Sequence, residues 1–458
     1  MSLLLNPKAA PVAAGAATTI GVLGTSLVQQ NDAATASKIS HWNRGWLSWA
    51  RYFAKGRFSC EIWHDPAVYL GWEPSQAPGA TRFFRGLNAG VSGQTIALIE
   101  ARKQFLKSAV DCGWVVIDAG TNDIAPLAKE AIHAARVELA RYYLAAGISV
   151  IMLPILARGT GSWAAGSAER KKAAWVNNQT IQFCKATPDC YYFDWNAYWV
   201  DLTNANGEPK AGFSPDFIHF QCPGGVSVGE GFANFAAKLL PEAFPRVWSA
   251  DDLFDATHNP SGNLLPNPFC AATGGANGTG SSGSVSSSMR VERSTGDATV
   301  VCSKETRTDG RGDWQVMTIT PGATDSLIYF RTNSSDTTHT YPAGTWVQAS
   351  CECEIGPANG WQGVSLYLKD NGIGGLIAYD LEPFDPGSGY VKLPMRQLNG
   401  MLVTPPIQLV NASPSLRWRV ELRVGSTGGG ASGNHVVKLG AVELRQVADP
   451  RGLVGYKE

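Results

Sequence analysis

The spacing of apolar residues changes once along this chain, near residue 250, and that change limits the possible folds more than any other feature. Before it, apolar runs suited to strands alternate with stretches at helical spacing. The strand-like runs are Thr18–Leu23, Trp114–Ala119, Ile148–Leu156 and Tyr191–Trp195; the helical ones are Thr95–Ala109, Pro126–Ala146 and Ala168–Lys185. Pro223-Gly224-Gly225 reads as a break before a last helix over Val226–Leu240. Trp42, Trp46, Trp49 and Phe53 are spaced to share one helix face, a pattern that suits core packing better than a binding stripe. Strands alternating with helices predict βαβ units and a parallel sheet covered on both faces. After residue 250 the helical spacing vanishes. A Gly/Ser/Thr-rich stretch, Ala271–Ser288, predicts a loop or flexible excursion. Short alternating runs follow over Trp314–Ile319, Ser326–Arg331, Trp346–Glu354, Gly363–Leu368, Ser415–Val424 and His435–Leu444. They predict an all-β sandwich or jelly roll.

At 458 residues the chain exceeds one ordinary core, which agrees with two units. We expect an arm over 1–17, an α/β domain over 18–250 and a β-sandwich over 260–458. The 38 basic and 38 acidic residues balance, so nothing in the charge points to nucleic acid. No apolar run approaches the ~20 residues of a membrane span. The N-terminus lacks a basic region before a long apolar stretch and does not read as a signal peptide. Its Ala/Pro composition suggests a linker, or an arm for attachment to a larger particle. Nine cysteines without CxxC spacing argue against a zinc site or a regular disulfide framework. Cys351 and Cys353, two apart in a strand, read as buried small hydrophobes.

Four short blocks carry candidate chemistry. The first strand runs into Gly24-Thr25-Ser26, where a small residue lets the serine hydroxyl stand clear of the sheet. Asn88-Ala89-Gly90 supplies a glycine whose N–H could meet an oxyanion. Asp118-Ala119-Gly120-Thr121-Asn122-Asp123 follows an apolar strand; Asn122 could donate its amide to the same oxyanion, and Asp123 suits a helix cap before Ile124. Ser214-Pro215-Asp216-Phe217-Ile218-His219 sets a carboxylate three residues before an imidazole, close enough to orient it. Taken alone, the serine and glycine blocks are better explained as turns, and the other two can be read as a turn or cap and as a structural histidine. His133 is expected in a long helix facing solvent, and Arg311-Gly312-Asp313 in a turn.

Taken together, their order and placement resemble the SGNH (GDSL-like) hydrolase family over roughly residues 18–245. The family's usual Gly-Asp-Ser-Leu reads Gly-Thr-Ser-Leu here, Gly24 to Leu27. The resemblance implies a flavodoxin-like α/β/α sandwich, no metal and no cofactor. It implies Ser26 as nucleophile, His219 as general base and acid, and Asp216 as the residue orienting His219. The Ser26 N–H, the Gly90 N–H and the Asn122 side chain would form the oxyanion hole.

Asn263-Leu264-Leu265-Pro266-Asn267-Pro268-Phe269 is similar to the start of carbohydrate-binding jelly-roll domains, including those of phage tail proteins. An esterase joined to such a domain suggests an O-acetylated polysaccharide as substrate, in an extracellular or virion-associated setting. Trp163, Tyr198 and Trp199 are candidates for stacking on sugars, with core packing the stronger reading of each. A lipid or aryl esterase, and a glycan-binding adhesin with an inactive esterase fold, are the alternatives.

Overall fold

The structure, a computed structural model, describes residues 18–64, 84–106, 112–243, 245–372, 375–385, 387, 389–410 and 415–453. The expected N-terminal arm lies outside them. In the first half, five parallel strands form one sheet. Their spatial order is Asn88–Gly90, Ile20–Gly24, Trp114–Ile117, Ser149–Met152 and Cys190–Tyr192. Every residue of Ile20–Gly24 is buried, as expected of a parallel strand covered on both faces. Helices Trp46–Ala54, Lys129–Leu144, Ala168–Ala186 and Cys222–Ala236 accompany this sheet, giving the α/β fold the sequence predicts.

The second half is all-β. One sheet includes Met289–Thr295, Ser326–Thr332, Ser415–Val424, Trp361–Asp370 and Ile377–Glu382; the other includes Thr299–Thr306, Asp313–Thr320, His435–Val447, Trp346–Ile355 and Leu398–Val403. Both sheets feed one apolar core, with Ile328, Phe330 and Val420 from the first and Val300, Met317 and Leu439 from the second. Cys351 and Cys353 are fully buried within it.

Several local expectations need correction. Pro223 sits in the first turn of the Cys222–Ala236 helix, where a missing N–H costs nothing, so the Pro-Gly-Gly run opens the helix instead of breaking it. Its glycines let a neighbouring segment come close: a Cβ at Gly225 would lie 2.5 Å from the Arg44 carbonyl oxygen. Ala271–Ser288 is not simply an excursion, because Ala276–Asn277 and Ser281–Gly283 pair into the two sheets. Trp42 ends a strand and does not share the helix of Trp46 and Trp49. Asp123 accepts the Ile96 N–H at 2.9 Å and so caps a different helix, Ile96–Ala101. His133 is half-buried, edge-on to Trp175.

The division at residue 250 also differs from expectation. Asp32–Thr35 and Lys38–Trp42 form an antiparallel hairpin on the edge of the first β-sheet, Lys38–Trp42 running parallel to Ile377–Glu382. Ile39, Trp49, Tyr52 and Ile62 belong to the core of the β-rich half. A buried polar seam joins the halves: His41 Nδ1 lies 2.9 Å from Asp380 Oδ1, and the Tyr52 hydroxyl donates to the Cys353 carbonyl at 2.7 Å.

Candidate active site

Gly24 ends its strand against Asp118, whose Cβ would lie 2.9 Å from any Cβ at that position. The next residue, Thr25, donates its hydroxyl to Asp118 Oδ2 at 2.7 Å and its N–H to the same oxygen at 3.2 Å. Burial pushes the Asp118 carboxyl above its ordinary range, and these bonds with the nearby Arg136 and Arg158 guanidinium groups oppose the shift. Thr25 therefore ties the turn to the neighbouring strand's end. Ser26 opens the short helix Ser26–Gln29, whose Val28 and Gln29 amides donate back to the Thr25 carbonyl. The first amides of a helix have no acceptor inside it, so this helix does not use the Ser26 N–H.

His219 comes to this serine from a loop far along the chain. Its Nε2 is 3.0 Å from Ser26 Oγ and its Nδ1 is 2.6 Å from Asp216 Oδ2. The other carboxylate oxygen, Asp216 Oδ1, accepts the Ile218 and His219 amides at 3.0 and 2.8 Å. Burial raises the Asp216 carboxyl, but the His219 ring and these amides outweigh it and hold the group below its ordinary range. The turn bends at Phe217, at φ 66°, a left-handed conformation uncommon outside glycine. Its ring occupies the space over Gly161, where a Cβ would lie 2.7 Å away. Backbone strain of this kind persists where its surroundings fix it, here between Asp216 and the His219 that meets the serine.

The structure thus brings Ser26, His219 and Asp216 into one hydrogen-bonded line. It treats the other two candidates differently. Asn122 Nδ2 donates to the Gln94 carbonyl at 2.9 Å, which uses one of its two protons. The Gly90 N–H is engaged: it donates to Asn88 Oδ1 at 3.0 Å. What requires glycine at 90 is packing, since a Cβ there would overlap the Gln29 amide nitrogen and lie 2.7 Å from the Val28 carbonyl carbon.

Residues 22–224 match the GDSL-like lipase/acylhydrolase family.

The GDSL-like segment holds all four blocks and stops inside the helix after His219. Solved structures with low similarity include a GDSL-like lipase from Bacteroides thetaiotaomicron (17 % identity, 51 % of this chain and 92 % of that chain, TM-score 0.32). A catalytic mutant of an acetylxylan esterase from Geobacillus stearothermophilus is 16 % identical over 49 % of this chain and 95 % of its own, TM-score 0.32. The active domain of tailspike protein 4 from bacteriophage CBA120 is 10 % identical over 35 % and 20 %, TM-score 0.23. No curated protein matches the chain.

Three features around this GDSL-like site were missed by sequence reasoning. Arg102, buried just past the Ile96–Ala101 helix, donates to the carbonyls of Gly24 (2.8 Å) and Ala89 and to Gln94 Oε1 (2.6 Å), pinning two strand ends. Asp118 opens the block that ends in Asn122-Asp123, but only its contact with Thr25 reveals what it does. The third is a cleft of about 480 Å³ beside the serine, lined by Ser26, His219, Gln30, Trp42, Arg44 and, from the β-rich half, Phe384. Trp163 and Trp199 are buried, and Tyr198 stacks on Phe193; none of the three lines this cleft. Among the described residues no group of three His, Cys, Asp or Glu could hold a metal ion, and no helix is long and apolar enough to cross a membrane.

Proposed function

We propose that this chain is a serine ester hydrolase that removes O-acetyl groups from a polysaccharide. The observation that carries the reading is the line Ser26 Oγ–His219 Nε2 at 3.0 Å and His219 Nδ1–Asp216 Oδ2 at 2.6 Å. His219 takes the Ser26 proton as the oxygen attacks the ester carbonyl, then returns it to the leaving alcohol. Water drawn to the acyl-enzyme by the same imidazole completes the cycle. Asp216 keeps the ring oriented and stabilises the imidazolium that forms during attack. The Ser26 N–H and the second Asn122 amide proton serve the oxyanion; Gly90 joins them only by releasing Asn88.

The polysaccharide part of the reading rests on the union of this site with an all-β half, which we take to bind the polymer and raise its local concentration. An extracellular or particle-borne setting, with attachment through residues 1–17, belongs to the same reading. Acetate release from acetylated xylan, acetylated pectin and 4-nitrophenyl acetate tests it, with a long-chain acyl ester for comparison. Ser26→Ala should reduce kcat by on the order of a million-fold while the melting curve is retained. A folded Ser26→Ala protein with wild-type rates removes Ser26 from the chemistry. A clear preference for the long-chain ester makes the enzyme a lipid esterase. No turnover of any ester by the wild type would leave a glycan-binding protein.

A further inference from the structure

The cleft beside Ser26 contains a cation that nothing among the described residues neutralises. Arg44 lies over a touching pair of aromatic rings, with its guanidinium carbon 4.1 Å from the Trp42 centroid and 3.9 Å from that of Phe384, and the two ring centroids 5.3 Å apart. Stacking of this kind holds the guanidinium plane in place. Yet among the described residues Arg44 makes no ion pair and no side-chain hydrogen bond, and its Nε is buried without a partner. Among the described residues it is the one Lys or Arg lining the cleft. Burial lowers its pKa to about 10, which leaves it charged at neutral pH. The two acidic residues of the lining are occupied elsewhere: Asp216 with His219, and Asp32 with the Asn88 amide. Gln30, only 6 % exposed, lines the same cleft with a side-chain nitrogen that has no acceptor.

Unpaired polar groups are rare enough in folded proteins that each calls for an explanation. Here the unspent groups are donors, and the arrangement around them is built. The Arg44 carbonyl oxygen packs against Gly225 of the helix after His219. Asn43 binds the β-rich half twice, its N–H to the Glu382 carbonyl at 2.9 Å and its Oδ1 to the Phe384 N–H at 3.0 Å. Two segments from opposite halves of the chain thus hold one guanidinium in the wall of the cleft that contains the nucleophile.

We propose that Arg44 is a carboxylate-binding subsite, and that the ester this enzyme hydrolyses is carried on an acidic sugar. A uronate carboxylate would take the guanidinium fork while the sugar ring lies against Trp42 and Phe384 and its acetyl group reaches Ser26. The inference rests on the esterase reading and names its substrate class. It also makes the β-rich half a wall of the binding site through Phe384.

The test compares a matched pair, mono-O-acetyl methyl glucuronoside and mono-O-acetyl methyl glucoside, by acetate release. Calorimetric titration with unacetylated methyl glucuronoside and methyl glucoside accompanies it and needs no turnover. The wild type should favour the uronate by about tenfold or more in kcat/KM, chiefly through KM, and the ratio should shrink as salt is added. Arg44→Gln should bring the ratio to about one and abolish the calorimetric preference, and Arg44→Lys should keep part of both. Phe384→Leu, which leaves the charge but removes one ring, should lower the ratio and serves if Arg44→Gln does not fold. A wild-type ratio near one overturns the proposal, as does a preference that survives in folded Arg44→Gln. If the wild type hydrolyses no ester, including 4-nitrophenyl acetate, the esterase reading fails. The calorimetry still decides the subsite: preference lost in Arg44→Gln upholds it, and equal binding of the two sugars refutes it.

Discussion

Deleting everything after residue 250 should leave a fragment that does not fold, although the fragment would keep Ser26, Asp216 and His219. Ile39, Trp49, Tyr52, Ile62 and Val226 are each at most 1 % exposed, and all five belong to the core filled mainly by the β-rich half. Burying a side chain of this size contributes about 1.5–3 kcal/mol, so five amount to roughly 7–15 kcal/mol. Contacts retained within the α/β half could save about half of that. The remaining loss is still comparable with the ~5–15 kcal/mol that stabilises an ordinary domain. The deletion also strands the hairpin Asp32–Trp42 without its neighbour strand Ile377–Glu382 and removes the acceptor of the Tyr52 hydroxyl. The assay is size-exclusion chromatography, near-ultraviolet circular dichroism and a thermal melt of residues 1–250 beside the full chain, with 4-nitrophenyl acetate as substrate. We expect aggregation or a non-cooperative melt. A monomeric fragment that melts cooperatively and keeps the full-length kcat would refute the idea that the α/β half depends on the core of the β-rich half.

Asn122→Ala should lower kcat about 100- to 1,000-fold with little change in KM, because the oxyanion develops only on the way to the transition state; an unchanged kcat with a lowered melting temperature would make Asn122 only a brace for Gln94. Thr25→Val should reduce unfolding free energy in urea by about 1–3 kcal/mol, since buried Asp118 loses a hydroxyl donor at 2.7 Å, and a neutral result would deny that anchor a role in stability. Asp380→Asn should shift the dependence of stability on pH between 6.5 and 8 towards rising, by removing a contribution that falls with pH. Burial raises the Asp380 carboxyl to about 7, so above its ordinary range the folded state holds a proton the unfolded state has released, and that stabilisation is lost as pH rises through about 7. His41, lowered well below its ordinary value by burial, acts with the opposite sign, and its effect fades only as pH rises past about 7.5, where the unfolded imidazole has lost its proton. The Asp380 share lost from pH 6.5 to 8 is therefore on the order of 1 kcal/mol, read from urea midpoints; equal slopes in variant and wild type would contradict it.

The serine, Asp216 and His219 were legible because each lies in a short block whose residue types fit one chemistry. Asp216 and His219 are three apart, so a single turn suffices to join them. The outlines of the strands and helices were legible too, since periodicity reports which face of a segment is buried. Strand Ser415–Val424 was read to the residue. Strands Met289–Thr295 and Thr299–Thr306 were missed, being rich in polar side chains on a half-exposed surface. The Pro-Gly-Gly run misled because a helix tolerates at its first turn what it refuses in its middle.

Local pattern determined the elements of this protein, their α/β and all-β classes, and the residues that could do acyl chemistry. Tertiary structure alone decided which half the hairpin Asp32–Trp42 belongs to, for a short strand pairs with whichever edge presents matching hydrogen bonds and an apolar face. It decided that the Gly90 amide is engaged and that Asn122 spends a proton on Gln94, because a donor's freedom depends on which acceptors the fold brings near. It brought Arg44 and Phe384, 340 residues apart in the chain, into one wall of the cleft. Periodicity reports burial, but not which surfaces come to face each other, and this site's chemistry depends on that facing.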